Sequence, residues 1–208
     1  MHKLGIIDIG SGNLFSLIRS LKPFDIEVII VNREEKIQEL DGILLPGVGA
    51  FKSGIETLKN NNMINALNEH KKKGKPILGI CLGMQLLLSE SSEFGVHKGL
   101  DFIKGKVKLI KKKDKWPVPN IGWCDINNIK NNKLSPFNNI KNHDDFYFIH
   151  SYFCDLQKQD DIIGEIIYGG ENIPAMISHE NIHGCQFHPE LSARSGYIIF
   201  ENFIKLLK

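Results

Sequence analysis

The chain has 208 residues, 42% of them apolar and 24% charged, with a formal net charge of +2. This fits one globular domain, residues 1–208, with a full-sized core, and the near-balanced charge points to no nucleic-acid partner. No apolar run approaches the roughly 18 residues of a membrane span, and four scattered cysteines with no zinc spacing predict free thiols in the cytoplasm, with no metal or other cofactor.

In chain order, the opening MHKLGIIDIG turns polar too soon for a signal peptide. LGIIDI (4–9) reads as a buried strand, and residues 13–21 as a helix with Leu14, Leu17, Ile18 and Leu21 along one stripe. IEVIIV (26–31) and GILLP (42–46) are further strands. A helix is expected from about Ser53 to Lys72, and PILGI (76–80) is the next strand. Continuous apolar strands between helices predict an α/β fold, with a mostly parallel central sheet covered on both faces. After Gly95 the pattern changes. Runs 103–110, 145–149, 162–168, 173–178 and 182–187 are strand-like with short connections, so the second half is expected to be β-rich. Residues 127–142, rich in Asn and Lys, read as an exposed loop, and 195–207 as a closing amphipathic helix. The runs Lys71–Lys73 and Lys111–Lys113 read as solvated faces.

Chemistry gathers at GICLGMQLLL (79–88), where an apolar strand turns into a helical pattern. Glycines at 79 and 83 flank Cys81 at i−2 and i+2, the spacing of a nucleophile elbow. Both positions must be small for strand and helix to approach. The helix N-terminus and its free N–H groups favour a thiolate, and the Leu82 N–H is placed to bind an oxyanion beside the sulfur. The plainer reading is a buried cysteine at an ordinary junction.

A thiol nucleophile needs a base, and the base an orienting group. His70, His97, His143 and His179 stand in polar surroundings that predict solvated rings. His188 ends a strand-like run in HGCQFHPEL, and residues i and i+2 of extended chain share a side. Glu190 can then hold one ring nitrogen while the other faces the thiol. A surface His–Glu pair is the alternative. LLPGVGAF (44–51) ends a strand in a loop whose backbone can approach a ligand, so Gly47, Val48 and Gly49 complete an oxyanion hole opposite Leu82. A plain strand-to-helix turn would have the same composition. DIGSGNL (8–14) is no dinucleotide fingerprint: Phe15 occupies the third glycine position and Asn32 stands where an acid belongs.

GICLGMQLL, QFHPE and PGVGAF together resemble the class I, triad-type glutamine amidotransferases. IDIGSGNLFSL (7–17), VPNIGW (118–123), YFIHSYF (147–153) and GCQFHPELS (184–192) are similar to the glutaminase branch serving imidazole glycerol phosphate synthases. The resemblance spans the chain. It implies glutamine as substrate, a cysteinyl thioester, Cys81 as nucleophile, His188 as base and then acid, and Glu190 as orienting carboxylate. It also implies that Gln85 and Glu93 hold the amino-acid end of glutamine, with Ser151 and Tyr152 offering backbone groups. Ammonia would pass to a (β/α)₈-barrel cyclase partner in histidine biosynthesis. Trp123 would anchor that interface or fill the core.

Three positions depart from the branch's pattern: Asn120 where a His is usual, Cys124 where an Asn is, and Leu191 where a Lys is. All three are expected near the partner face, which leaves open an alternative glutaminase that feeds a cyclase-like partner for amidating a bacterial surface sugar. A redox or chaperone protein with an elbow cysteine would not need H-P-E. A purely structural partner-binding module would have lost one of Cys81, His188 and Glu190, and all are present.

Overall fold

A computed structural model describes residues 1–130 and 134–207. Strands β1 (His2–Ile7), β2 (Ile26–Val31), β3 (Gly42–Gly47) and β4 (Ile77–Cys81) alternate with helices α1 (Leu14–Leu21), α2 (Phe51–Asn60) and α3 (Met63–Lys72). A short helix α4 (Leu82–Leu86) follows β4 directly. Strands β5 (Leu88–Ser91), β6 (His97–Lys98), β7 (Ile103–Leu109), β8 (Asn120–Asp125), β9 (Asp145–His150) and β10 (Tyr152–Leu156) come next. Then β11 (Ile162–Tyr168), β12 (Glu171–His179) and β13 (Ile182–Cys185) lead to the last helix, α5 (Ala193–Ile204).

The main sheet has the order β11-β12-β13-β4-β3-β1-β2. From β13 to β2 every pairing is parallel, and β11 and β12 are antiparallel additions at one edge. Alternation along the strands supplies a core on each face. Leu44, Leu78 and Ile80 pack with Leu17 and Leu21 of α1 and Phe200 and Phe203 of α5. Ile43, Leu45 and Ile77 pack on the other face with Leu58 of α2 and Leu67 of α3. Each fully buried aliphatic or aromatic side chain stabilises the fold by about 1.5–3 kcal/mol. The two-faced α/β sheet matches the sequence expectation.

Three local expectations need correction, and the helix that starts at Leu82 as expected has a length the sequence left open. The helix over 53–72 is two helices, broken where Asn62 takes a left-handed φ of 57°. The helix after Cys81 lasts five residues, because Leu88 already joins the smaller sheet β10-β7-β5-β6. Much of the segment 127–142 is not an exposed loop: Ser135, Phe137 and Ile140 are buried, and Asn202 Nδ2 of α5 donates to the Pro136 and Asn138 carbonyls at 3.2 and 2.6 Å. Residues 131–133 of that segment lie outside the described residues. His70 is buried in α3 rather than solvated, and burial pulls its pKa down to about 4.

What positions the site is the register of three parallel strands. Gly47 at the end of β3 lies opposite Cys81 at the end of β4, and Cys185 of β13 opposite Ile80. The carboxyl ends of such strands are where ligands gather in open α/β sheets.

Candidate active site

Cys81 occupies the corner between β4 and α4 with φ 55° and ψ −109°, a left-handed conformation rare for a residue with a side chain. Such a conformation costs on the order of 1–3 kcal/mol and persists only where its surroundings enforce it. The enforcement comes from close packing of the flanking glycines. A Cβ on Gly83 would lie 1.6 Å from the Leu45 carbonyl oxygen, and one on Gly79 2.6 Å from the Gly83 oxygen. Strand and helix approach each other there, and only glycine fits.

His188 and Glu190 face this corner from the segment after β13. His188 Nδ1 and Glu190 Oε1 are 2.8 Å apart, and both side chains are more than nine-tenths buried. The His188 backbone N–H donates to the Tyr147 carbonyl at 2.9 Å, and its own carbonyl accepts from Ser192 Oγ at 2.6 Å, so the segment is tied at both ends. Burial alone would depress the ring's pKa. Interaction with Cys81 and the charge of Glu190 overcome it and raise the value from 6.5 to about 10. Nδ1 is the donor to the carboxylate, so Nε2, which is buried without a hydrogen-bond partner among the described residues, is left for chemistry at the sulfur.

A cleft of about 740 Å³ opens over these groups and is lined by Cys81, His188 and Glu190. Of the other expected site residues, Val48, Gly49, Leu82, Gln85 and Glu93 line it, as do Ser151, Tyr152 and Leu191. Gly47 lies in an adjoining hollow with Val48, His188 and Glu190. Gly49 has a φ of 98°, open to glycine and strained for other residues. Glu93 Oε2 accepts from the Phe51 N–H, the first amide of α2, at 2.5 Å. The Ser151 carbonyl accepts from Ile110 and is committed within the fold. Gln85 spends both amide hydrogens on the protein, donating to the Tyr152 carbonyl at 3.1 Å and Gln186 Oε1 at 3.0 Å. Only its carbonyl oxygen is left for a ligand.

Two expected partner-face residues part company. Trp123 is 54% exposed, which excludes the core reading, and meets Tyr147 edge-on with ring centroids 5.9 Å apart. Asn120, three residues earlier on β8, is buried and points inward, because the strand's alternation puts the two on opposite sides. Its Nδ2 lies 3.1 Å from His150 Nε2. Cys124 is half-buried and shares sulfur–amide contacts of 3.8 Å with Asn120.

His150 and Gln186 were not singled out by the sequence reading. His150 Nδ1 donates to the Tyr152 carbonyl at 2.9 Å, and burial holds the ring neutral, with its pKa lowered to about 4. Gln186 Nε2 donates to Cys81 Sγ at 3.7 Å. The signal for Gln186 was present: two residues before His188 in extended chain, it shares the side that faces the thiol. His150 alternates with buried Phe146 and Phe148 along β9, which marks it as an inward ring.

The arrangement can add a sulfur nucleophile to a carbonyl, with an adjacent imidazole moving the proton. Among the described residues no group of three or more His, Cys, Asp or Glu side chains could hold a metal ion, and no helix is long and apolar enough to cross a membrane.

Comparison with known proteins shows the family. The family model for glutamine amidotransferase class-I matches residues 5–206. Imidazole glycerol phosphate synthase subunit HisH of Chlorobium chlorochromatii (strain CaD3) is 41% identical over 202 residues, covering 97% of this chain and 98% of the relative. The subunit HisH of Caldanaerobacter subterraneus subsp. tengcongensis is 41% identical over 206 residues, covering 99% and 98%. Among solved structures, PurLQS from Thermotoga maritima superposes with a TM-score of 0.74 at 17% identity, covering 100% of this chain and 99% of that one, a likeness of fold.

Proposed function

The chain belongs to the class-I glutamine amidotransferase family, and from that premise we propose that it is the glutaminase subunit of an imidazole glycerol phosphate synthase. The observation that carries the reading is the Cys81 elbow facing a buried His188–Glu190 pair in an open cleft. Near-full-length relatives bearing that name support the branch and do not favour delivery of ammonia to a surface sugar.

In the proposed reaction Cys81 Sγ attacks the side-chain amide carbonyl of glutamine. The developing oxyanion is met by backbone N–H groups of Leu82 and of the Gly47–Val48–Gly49 loop. His188, protonated at neutral pH, gives its Nε2 proton to the departing ammonia, and a cysteinyl thioester remains. The ring then takes a proton from water as that water attacks the thioester and keeps it as the sulfur is expelled. The protonated His188 is thus restored, while glutamate leaves as its carboxylate and sheds the remaining proton to solvent. Glu190 holds the ring through Nδ1 in both steps. The amino-acid end of glutamine is assigned to the Gln85 carbonyl oxygen, Glu93 and the backbone at Ser151 and Tyr152.

Ammonia is useful only unprotonated and out of bulk water, so the chain acts with a (β/α)₈-barrel cyclase in histidine biosynthesis, in the cytoplasm. An exposed apolar face on the β8–β9 hairpin, with Ile121, Trp123 and Ile149, supports such docking, and Leu109 and Leu191 are exposed beside the cleft mouth. Apolar and aromatic side chains of this kind form the anchors of protein interfaces. Glutamine hydrolysis by the purified chain, alone and with a histidine-pathway cyclase subunit plus its nucleotide substrate, tests the reading. Strong stimulation that Cys81→Ala abolishes is the expected result. Cys81 that alkylates readily while the cyclase leaves hydrolysis unchanged would sink the assignment to this partner.

A further inference from the structure

The reaction as written uses no side chain of Gln186, yet this amide is fully buried against the sulfur. Its orientation follows from its neighbours. The Tyr152 carbonyl can only accept, so the Gln85 atom 3.1 Å from it must be Nε2. The second hydrogen on that nitrogen is aimed at Gln186, 3.0 Å away, which must therefore present Oε1. Gln186 Nε2 is left facing Cys81 Sγ. One backbone carbonyl thus fixes both amides, and it is itself held by His150, which Asn120 holds in turn.

We infer that Gln186 is a positioning residue for the nucleophile, holding Cys81 Sγ with an N–H donor on the side away from the substrate. The inference rests on the glutaminase reading above and deepens it. The thiol hydrogen has the Ile149 carbonyl as an acceptor at 3.8 Å, whereas a sulfur that has lost its proton needs donors. The other titratable groups felt at this site are His188 and Glu190 after β13, Cys185 on β13, Cys154 on β10, and His150, which faces His188. Burial pushes both Cys154 and Cys185 well up, so they stay neutral thiols. His150 is neutral as well. Among the described residues, Gln186 Nε2 is then the side-chain donor seated on the protein side of the sulfur. Gln186 does not line the cleft, so its effect reaches glutamine through the two residues it bonds, Cys81 and Gln85.

The test is Gln186→Met, which keeps length and approximate volume and removes the donor. Iodoacetamide alkylation of the full chain, followed by mass spectrometry of the Cys81 peptide, is expected to slow roughly 5- to 10-fold at neutral pH, the scale of one ordinary hydrogen bond. With the cyclase present, kcat for glutamine hydrolysis is expected to fall by a similar factor while KM moves less, because Gln85 keeps its bond to the Tyr152 carbonyl. Gln186→Glu keeps the acceptor for Gln85 and brings negative charge to the sulfur, so its alkylation profile is expected to move to higher pH. A folded Met variant with wild-type alkylation and wild-type kcat overturns the inference and leaves Gln186 as packing. If only the Glu variant folds, an unshifted profile overturns it equally. Slowed alkylation in a chain that hydrolyses no glutamine with any cyclase would keep the inference and sink the glutaminase reading instead.

Discussion

Two histidines on the wall of the same cleft are both buried, and the fold drives them to opposite protonation states. Around His188 stand a carboxylate at 2.8 Å and the Cys81 sulfur, and the ring's pKa rises to about 10 against the pull of burial. Around His150 stand an amide and a backbone carbonyl, at 3.1 and 2.9 Å, and burial carries the value down to about 4. Desolvation is common to the two and decides only the second. A neighbour with charge reverses it, and a neighbour with a dipole does not. The first region is built to hold and release a proton, the second to stay still.

The most direct way to break the contrast is Glu190→Gln, which leaves an acceptor for Nδ1 and removes the charge. Glutamine hydrolysis with the cyclase is expected to fall by roughly 10² or more in kcat, since a mispoised acid–base group forfeits about 10²–10⁴. A rate within tenfold of wild type would mean that the carboxylate's charge is not what readies His188.

A smaller effect lies in the pH dependence of stability, where the two regions carry opposite slopes. The folded value of His188 lies above its ordinary 6.5, so its contribution is complete below that pH and is lost as pH rises through about 10. The folded value of His150 lies below 6.5, so the unfolded chain takes up a proton first and stability falls as pH drops toward about 4. His70 and His183, lowered by burial to about 4 and about 3, steepen the acid side further. Urea midpoints from pH 4 to 10 are expected to peak near pH 6–7. Glu190→Gln should flatten the alkaline limb and spare the acid one. An alkaline limb unchanged by that substitution would place its origin elsewhere.

The same contrast marks what the sequence could reveal. The elbow was legible because its determinants are local: an apolar run, two glycines at fixed offsets, and a thiol between them. The His188–Glu190 pair followed from the two-residue period of extended chain. The roles given to Gln85, Glu93, Ser151 and Tyr152 came from the family resemblance and not from spacing. The wall around His150 was illegible because its bonds join Asn120, His150 and Gln85 across 30 and more positions, and no local pattern announces such pairs. The five-residue length of α4 escaped for a related reason. LLLSE suits helix and strand alike, and pairing of Leu88 with Ile103 decides it. In the segment 127–142 the Asn and Lys count concealed two anchors, Phe137 and Ile140, that the core takes up.

The smallest expected effect divides the second region from the surface beside it. Asn120 and Trp123 were both expected at the partner face, yet one points in and the other out. His150 must use Nδ1–H on the Tyr152 carbonyl, so its Nε2 can only accept, and Asn120 supplies the donor. The ring cannot rescue itself by changing tautomer, since that would set two acceptors against each other at Tyr152. Asn120→Ala therefore strands a buried acceptor, and is expected to cost about 1–2 kcal/mol in urea unfolding. Trp123→Ala removes an exposed ring and is expected to stay within about 0.5 kcal/mol. Its effect should appear only when the cyclase is added, as weaker stimulation of hydrolysis. Equal stability losses from the two substitutions would mean that Asn120 holds nothing His150 needs. The still wall of the cleft would then rest on Tyr152 and Gln85 alone.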